Sequence, residues 1–317
     1  MLHPDLIVGT ETGDDAAVWR RPDGRALVTT VDFFAPVVDD AYTWGRIAAA
    51  NAASDVYAMG GTPLFALNIA VWPRDSLPLS LLTDVLAGGA QTARQGGWVV
   101  TGGHTVDGPE PMFGQVVVGE LDGPEPTRNV GAQVGDVLVL TKPLGVGLLA
   151  TAHKRLPVAA TAPGGEWAAT YEAAIASMTQ LNSLAAAAAG RAKVHAATDV
   201  TGFGLVGHLY KILKASGVAA RIDIEALPLL PGARNLIAAG FAPGGTSRNL
   251  EYVADMLVGG SEADRLLVAD PQTSGGLLMS CPMSALDDLI DDLRRHDRLA
   301  AVIGTITSGI AGTITLS

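Results

Sequence analysis

The 317-residue chain has a formal net charge of -11 and is 48% hydrophobic, which excludes a disordered protein and allows about two domains. Its lysines are scattered rather than clustered, so no basic patch is available for a nucleic acid. We find no apolar run of about 18 residues and no signal peptide, and we therefore expect a cytoplasmic protein without a membrane span. The single cysteine, Cys281, lies in an apolar stretch typical of a buried side chain.

The first third of the chain alternates β-branched runs with two helical stretches. We predict strands in "AAVW", "ALVTTVDFF", "LFALNIAVW", "GWVVTGG" and "FGQVVVGEL", and helices over about 43–59 and 78–96. The segment 121–136 is rich in glycine and proline and lacks periodicity, which is typical of a domain boundary. We therefore predict a mixed αβ chain with domains at 1–125 and 134–317.

The second domain is also predicted to mix strands and helices. The stretch "DVLVLTKPLGVG" indicates a strand, a turn and a helix start, and 165–189 is predicted to be one alanine-rich helix that ends at Gly190. A strand then leads into "TDVTGFGLVG", followed by a helix over 205–216, a strand in "AARIDIEAL" and a final αβ section. We find no internal repeat of fixed period.

Four aspartates are flanked by small residues or threonine, a pattern that leaves room for a ligand. Asp15 precedes a strand, Asp32 lies near the end of the next, Asp55 is in a helix and Asp199 follows a later strand. Each of them alone is compatible with a polar turn. As a set they favour a metal–phosphate site, because Mg²⁺ is commonly held by a few carboxylates together with substrate phosphates.

Most other nucleotide-binding and catalytic motifs are absent from the chain, and one is present. The chain has no G-x-x-x-x-G-K-[ST], G-x-S-x-G, C-x-x-C or H-E-x-x-H motif. The run Gly202–Gly207 does fit G-x-G-x-x-G, with Asp223 about twenty residues further on, and is the alternative of a dinucleotide site. Against it, Asp199 stands close to where a pyrophosphate would lie, and Asp223 belongs to the alternating strand pattern "RIDIE".

Eight blocks of the chain carry a resemblance to one family. They are, in order, "GTETGDDAAVW", "TTVDFFAPVVDD", "GRIAAANAASDVYAMGGTP", "TGGHTVDGPEP", "LTKPLGVG", "TDVTGFGLVGHL", "PGGTSRN" and "DPQTSGGLL". This series resembles the selenophosphate synthetase (selenide, water dikinase) family. The resemblance implies the two-domain αβ fold shared with aminoimidazole ribonucleotide synthetase. It also implies that the N-terminal domain, 1–125, pairs with its twin in a homodimer, while 134–317 forms a C-terminal αβ domain.

The resemblance further implies an activity and a set of site residues. The family converts ATP, selenide and water into selenophosphate, AMP and phosphate with Mg²⁺, and its magnesium-binding aspartates fall on Asp15, Asp55 and Asp199. Its ATP-contacting positions fall on Thr12, Gly13, Asp14, Asp32, Asp55, Gly103, His104 and Thr105. His104 is alternatively a loop residue that bonds only backbone. Asn51 precedes Asp55 by one helical turn and is expected to help orient it.

The chain departs from the family pattern at one place. The family carries a glycine-rich segment with a reactive cysteine or selenocysteine and a lysine upstream of the "GDD" block, whereas here Gly9 is preceded by eight residues and the first lysine is Lys142. We therefore assign no catalytic side chain, and from the sequence as printed we expect Mg-ATP binding with little selenophosphate formation. A nucleotide-binding paralogue and another kinase of the superfamily, such as one acting on thiamine phosphate, remain as alternatives. The blocks "TDVTGFG" and "DPQTSGG" disfavour that other kinase.

Overall fold

The computed structural model describes residues 3–11 and 13–317. Contacts divide the chain into two compact units, which we call the first unit (Met1–Pro126 with Met178–Ser183) and the second unit (Thr127–Ser177 with Leu184–Ser317). Each unit has one sheet as its main element. These units are defined by contacts, and the domain ranges 1–125 and 134–317 remain predictions from the sequence.

The first unit is a six-stranded sheet with two long helices. Its strands follow the order β1-β2-β3-β6-β4-β5, and every neighbouring pair is antiparallel except β4 and β5. The elements are β1 (Leu6–Val8), β2 (Ala17–Arg20), β3 (Ala26–Phe34), α1 (Ala41–Ala58), β4 (Thr62–Trp72), α2 (Leu79–Gly96), β5 (Val99–Asp107) and β6 (Met112–Leu121). The predicted helices over 43–59 and 78–96 are confirmed.

The helices α1 and α2 cross at glycines that let their backbones touch. Helix α1 begins at the Asp40 cap, whose side chain accepts the Thr43 N–H at 2.8 Å. A Cβ on Gly45 would lie 1.9 Å from the Val85 carbonyl oxygen, and a Cβ on Gly88 would lie 2.0 Å from that of Tyr42. Since α1 is buried along most of its length, this close crossing fixes where its polar side chains stand above the sheet.

The two faces of the first sheet differ in what covers them. Alternate residues of β3 point to opposite faces, so Val28, Thr30 and Asp32 lie under α1 while Val31 and Phe33 lie on the other face. Val31 is 51% exposed and Phe33 is 44% exposed. We call this second side the helix-free face.

The second unit is built on a seven-stranded mixed sheet in the order β10-β13-β9-β12-β7-β11-β8. Its central strands β7 and β11 are buried throughout. Its strands are β7 (Val137–Leu140), β8 (Ala196–Asp199), β9 (Ala219–Ile222), β10 (Leu257–Gly259), β11 (Leu277–Cys281), β12 (Ala301–Thr307) and β13 (Ile314–Leu316). Its helices, two of which extend into 178–183 of the first unit, are α3 (Val146–Arg155), α4 (Ala168–Thr179), α5 (Ser183–Ala192), α6 (Gly204–Ser216), α7 (Ala233–Ala238), α8 (Gly244–Tyr252), α9 (Glu262–Val268) and α10 (Leu286–Arg295). Among the described residues, none of the helices combines the length and apolar composition that crossing a bilayer requires.

One predicted helix is wrong in extent. The segment 165–189 forms two helices, α4 and α5, separated by Gln180, Leu181 and Asn182, and the second continues past Gly190. Asn182 stands directly before α5, and its side-chain amide donates to the Ser54 hydroxyl at 2.8 Å, so a tertiary contact holds the chain where the two helices separate. Alanine-rich composition gave no sign of this break, since helix propensity is a weak prior against tertiary contacts.

Cys281 is buried in β11, as its apolar sequence context predicts. Burial raises the pKa of its thiol to about 11, and the nearby Asp136 carboxylate acts in the same direction. The thiol is therefore protonated at neutral pH, which is the state of an inert structural cysteine.

The glycine crossing of α1 and α2 predicts that Gly88→Ala destabilises the fold. The new methyl group would meet the backbone of Tyr42, so the helices must separate, at a cost of about 1–3 kcal/mol. Gly190→Ala is the matched control, because that helical glycine is exposed with nothing within 4 Å of its Cβ position. We expect the control to raise stability by up to about 1 kcal/mol in urea unfolding. Equal stability of the two variants would contradict the close crossing.

Candidate nucleotide and metal site

Two of the predicted metal-binding aspartates lie together in the first unit. Asp15 precedes β2 and Asp55 lies in the last turn of α1, and both are half-buried. One carboxylate oxygen of Asp15 lies within 4.8 Å of one from Asp55. Because Mg²⁺ takes oxygen ligands at about 2.0–2.1 Å, two oxygens at this separation fit opposite or neighbouring positions around one ion after small adjustments.

Paired hydrogen bonds between β3 and α1 hold the carboxylates at this end of the unit. The Thr30 hydroxyl donates to Oδ2 of Asp55 at 2.5 Å, and the Asn51 amide donates to Oδ2 of Asp32 at 2.7 Å. Thr30 and Asp32 are two residues apart on a strand, a rise of about 6.6 Å. Asn51 and Asp55 are four apart on a helix, a rise of about 6 Å, so the two pairs match along their lengths.

Asp32 lies deeper than an ordinary surface carboxylate. Burial raises the pKa of Asp32, and the hydrogen bond from Asn51 opposes that shift by favouring the ionised form. Asn51 was expected to orient Asp55, and the structure shows that it bonds to Asp32. The strand aspartate and the helix aspartate therefore each have a hydrogen-bond donor from the opposite element.

A row of polar residues continues from Asp32 across the sheet. The registers place Asp32 opposite Gln115, Gln115 opposite Asn68, and Asn68 opposite Gly103. Gln115 is fully buried and its amide donates to the Asn68 side chain at 3.0 Å. This row of polar residues connects Asp32 on β3 with Gly103 on β5.

The segment Gly103, His104 and Thr105 forms part of β5, an exposed edge strand. A Cβ on Gly103 would lie 2.2 Å from the Asn68 carbonyl oxygen, so β5 approaches β4 closely only because this residue is glycine. The structure thus places the three residues at one edge of the sheet that carries Asp32.

An open cavity of about 600 Å³ lies beside Asp15. Gly13, Asp14, Asp15 and Thr30 contribute to its lining. Gly13 has φ of 63°, a left-handed conformation that glycine adopts without a steric cost. Thr12, also predicted to contact ATP, lies outside the described residues. The volume is within the range of about 300–1,000 Å³ that is usual for ligand pockets.

Asp199, the third predicted metal ligand, ends β8 in the second unit and is almost fully buried. Lys142 is also buried and lies close enough to Asp199 to interact with it electrostatically. Its ammonium group donates to the Ser274 carbonyl at 2.8 Å. Burial lowers the pKa of Lys142 to about 7; nearby Asp199 opposes this shift and Arg298 adds to it. Ser274 has φ of 49°, an uncommon backbone conformation for a residue other than glycine. Three of the eight sequence blocks therefore meet at Asp199.

The run Gly202–Gly207 forms a packed turn rather than an open phosphate-binding loop. The Thr201 N–H donates to Nε2 of His208 at 3.1 Å. The His208 ring therefore already takes a backbone N–H that a bound phosphate would need as a donor. A Cβ on Gly204 would lie 2.8 Å from the Ala269 backbone, which gives this glycine a packing role. The geometry favours the metal–phosphate interpretation over a dinucleotide site.

Comparison with known proteins places the chain in a family. Residues 13–121 match the family model described as AIR synthase related protein, N-terminal domain, and residues 133–317 match the corresponding C-terminal domain. A selenide, water dikinase of Porphyromonas gingivalis (strain ATCC 33277) is 44% identical over 305 residues, covering 95% of this chain and 85% of the relative. The chain belongs to the selenide, water dikinase family. A second member, from Shewanella sp. (strain MR-7), is 41% identical over 303 residues, covering 96% of this chain and 84% of the relative. These matches confirm the resemblance drawn from the eight sequence blocks. As a member of this family, the protein is a phosphotransferase.

Solved structures confirm the predicted two-domain AIR synthetase-like fold. Thiamine-monophosphate kinase from Stenotrophomonas maltophilia K279a aligns with a TM-score of 0.72 and 23% identity over 99% of this chain and 92% of that one. The hydrogenase maturation protein HypE in complex with ATP aligns with a TM-score of 0.68 and 18% identity over 92% of this chain and 81% of that one. At 23% and 18% identity, these two alignments show that the chain shares the fold, and nothing more.

Several residues of the site were missed by sequence reasoning. Thr30 carries a detectable signal, since it stands two residues before Asp32 and therefore faces the same helix. Gln115 and Asn68 are adjacent only through strand register, which no local pattern reveals. His208 belongs to one of the eight sequence blocks, but its contacts depend on how α6 packs against the turn before it.

The bond between Thr30 and Asp55 predicts that Thr30→Val destabilises the first unit. Valine keeps the branched shape but removes the donor to a half-buried carboxylate, and we expect a loss of about 1–2 kcal/mol in urea unfolding with EDTA present. Thr305→Val, at an exposed strand position of the second unit, is the control and should change stability little. A Thr30→Val protein as stable as this control would show that the bond contributes nothing.

Proposed function

We propose that this phosphotransferase converts ATP, selenide and water into selenophosphate, AMP and phosphate. The observation that carries the proposal is the 44% identity to a protein named selenide, water dikinase over 95% of the chain. The geometry of the first unit supports it, because a paired carboxylate site beside an open cavity suits a metal-bound triphosphate.

We propose Mg²⁺ as the metal, with Asp15, Asp55 and Asp199 as ligands. The donor atoms are all carboxylate oxygens, the type that Mg²⁺ prefers. Asp199 is included because it falls on a metal-binding aspartate of the family. When bound, the metal neutralises charge on the triphosphate and on the phosphoryl group in transfer.

The residues proposed to contact ATP are those that the family resemblance implies. They are Thr12, Gly13, Asp14, Asp32, Asp55, Gly103, His104 and Thr105. Gly13 and Gly103 let backbone approach phosphate closely, since neither carries a side chain. Thr30 and Asn51 hold the Asp55 and Asp32 carboxylates in place before any ligand arrives, so those groups need little reorganisation on binding.

A kinase for thiamine phosphate and a nucleotide-binding paralogue without synthetase activity are the competing functions. The thiamine-monophosphate kinase shares the fold at 23% identity, well below the 44% of the selenide, water dikinase relative. That difference favours selenide as the phosphoryl acceptor. The paralogue would bind Mg-ATP as the enzyme does but would not turn it over. An assay that follows products therefore separates the selenide, water dikinase, the thiamine-phosphate kinase and the paralogue.

The proposed reaction is tested by anaerobic ³¹P NMR of the protein with Mg-ATP and selenide. We expect AMP, phosphate and a selenophosphate signal that depends on selenide, and we expect that signal to be small, as the sequence analysis predicts. Asp55→Asn should reduce turnover and Mg²⁺-dependent ATP binding by about two orders of magnitude, because one preorganised charge is lost at a site that carries several. Asp84→Asn, an exposed aspartate on α2, is the control and should behave as the unchanged protein.

Each competing function predicts a different result in this assay. Binding of Mg-ATP without selenide-dependent AMP would support the paralogue, and phosphorylation of added thiamine monophosphate would support the other kinase. If Asp55→Asn binds ATP with near-normal affinity in calorimetry with Mg²⁺, Asp55 is not part of the proposed metal and nucleotide site.

We also propose a homodimer formed through the helix-free face of the first unit. Trp19, Val31, Phe33 and Leu67 are each at least 40% exposed on this side. Val31 lies opposite Val116, and Val116 lies opposite Leu67, so the apolar residues form a continuous row across three strands. A twin sheet would cover a surface that a monomer leaves in water.

The dimer predicts a clear effect of Phe33→Asp. We expect the unchanged chain to sediment as a dimer at micromolar concentration and the variant to sediment at 32.5 kDa, because a charge would be buried in the interface. Ile310→Asp, at a residue of the second unit that is 75% exposed, is the control and should leave the dimer intact. A monomeric unchanged chain would refute the proposal.

A further inference from the structure

The turn that carries Asp199 is held by a buried histidine of the following helix. His208 lies in the second turn of α6 and is 6% exposed. Its Nε2 accepts the Thr201 N–H at 3.1 Å and lies 3.2 Å from the Thr201 hydroxyl. Its Nδ1 lies 3.4 Å from the Thr198 hydroxyl. The ring therefore contacts the residue before Asp199 and the residue two positions after it.

The direction of these bonds fixes the state of the ring. A backbone N–H is always a donor, so Nε2 accepts and the proton of the neutral imidazole is on Nδ1, facing Thr198. The Thr198 hydroxyl in turn donates to the Asp199 carbonyl at 3.2 Å. Burial lowers the pKa of His208 to about 3, with the Lys211 charge acting in the same direction, so the ring stays neutral and keeps its acceptor.

The turn is also fixed by backbone bonds on its other side. The Val200 N–H donates to the Gly276 carbonyl at 2.9 Å, and the Gln272 N–H donates to the Thr201 carbonyl at 3.0 Å. A Cβ on Gly275 would lie 2.0 Å from the Val200 carbonyl oxygen, so the segment 272–276 presses closely against the turn. Two side chains bond to this turn among the described contacts: His208 at Thr198 and Thr201, and Asn249, whose amide donates to the Gly202 carbonyl at 2.9 Å. Of these, the His208 contacts are the ones that flank Asp199.

We propose that His208 is a positioning residue for Asp199, fixing the turn so that its carboxylate is already ordered when the metal binds. This inference rests on the proposed role of Asp199 as a magnesium ligand. Residues that orient metal ligands typically change metal affinity by about 10–100-fold when they are replaced. Loss of the ring would leave the Thr201 N–H without its acceptor and allow the turn to move, so ordering it would become part of the cost of metal binding.

The test compares metal binding with stability in a small set of variants. Mn²⁺ binding is measured by electron paramagnetic resonance with the full chain, and Mg²⁺ is then titrated in the ATP-consuming reaction. We expect His208→Ala to weaken Mn²⁺ binding about tenfold and to raise the Mg²⁺ requirement, with kcat at saturating Mg²⁺ changed much less. His208→Gln should recover most of the affinity, because its amide oxygen reaches the position of Nε2.

Leu209→Ala is the matched control for a purely structural effect. Leu209 is fully buried on the same helix, so its truncation should cost about 2–5 kcal/mol of stability while Mn²⁺ affinity stays unchanged. Equal weakening of Mn²⁺ binding in this control and in His208→Ala would overturn the positioning role. If His208→Ala does not fold, His208→Asn replaces it, since asparagine is too short to accept the Thr201 N–H.

Asp199→Asn separates failure of this inference from failure of the metal site. If Asp199→Asn weakens Mn²⁺ binding and His208→Ala does not, the positioning role alone is wrong. If Asp199→Asn binds Mn²⁺ normally, Asp199 is not a ligand and both proposals are overturned. The inference stands if both variants weaken binding and His208→Gln restores it.

Discussion

The first unit depends on the match between a strand and the helix above it. Residues two apart on β3 and four apart on α1 have nearly the same spacing, so Thr30 meets Asp55 while Asn51 meets Asp32. A half-buried carboxylate without a donor would be costly, and here each of the two carboxylates takes its donor from the other element. The glycine crossing of α1 and α2 serves the same arrangement, because it sets the position of α1 that makes both bonds possible.

The alternation of β3 assigns different chemistry to the two faces of one sheet. On the helix side, Asp32 begins a polar row that crosses three strands through Gln115 and Asn68. On the helix-free face, the neighbouring residue Val31 begins an apolar row through Val116 and Leu67 in the same registers. A shift of one residue in either pairing would exchange the two rows, so the polar row and the apolar row are specified together.

Local sequence patterns predicted those parts of the structure that depend on local spacing. Asp15 and Asp55 stood out because small neighbours surround them, and α1 and α2 followed from length and periodicity. Gln115 was unrecognisable, since its partner lies 47 residues away and meets it only through register. The break between α4 and α5 was missed for a similar reason: Asn182 is held by Ser54, 128 residues earlier, and no helix propensity records such a contact.

The two units hold their aspartates in different ways, and the difference follows from burial. Asp55 is half-buried, and a threonine hydroxyl bonds directly to its carboxylate. Asp199 is almost fully buried beside the Lys142 ammonium group, and backbone hydrogen bonds together with the His208 ring hold its turn. A neutral histidine suits that task because it accepts from the turn at one nitrogen and donates at the other without adding a charge. Burial keeps the imidazole uncharged, so His208 holds the turn without adding a second positive charge beside that of Lys142.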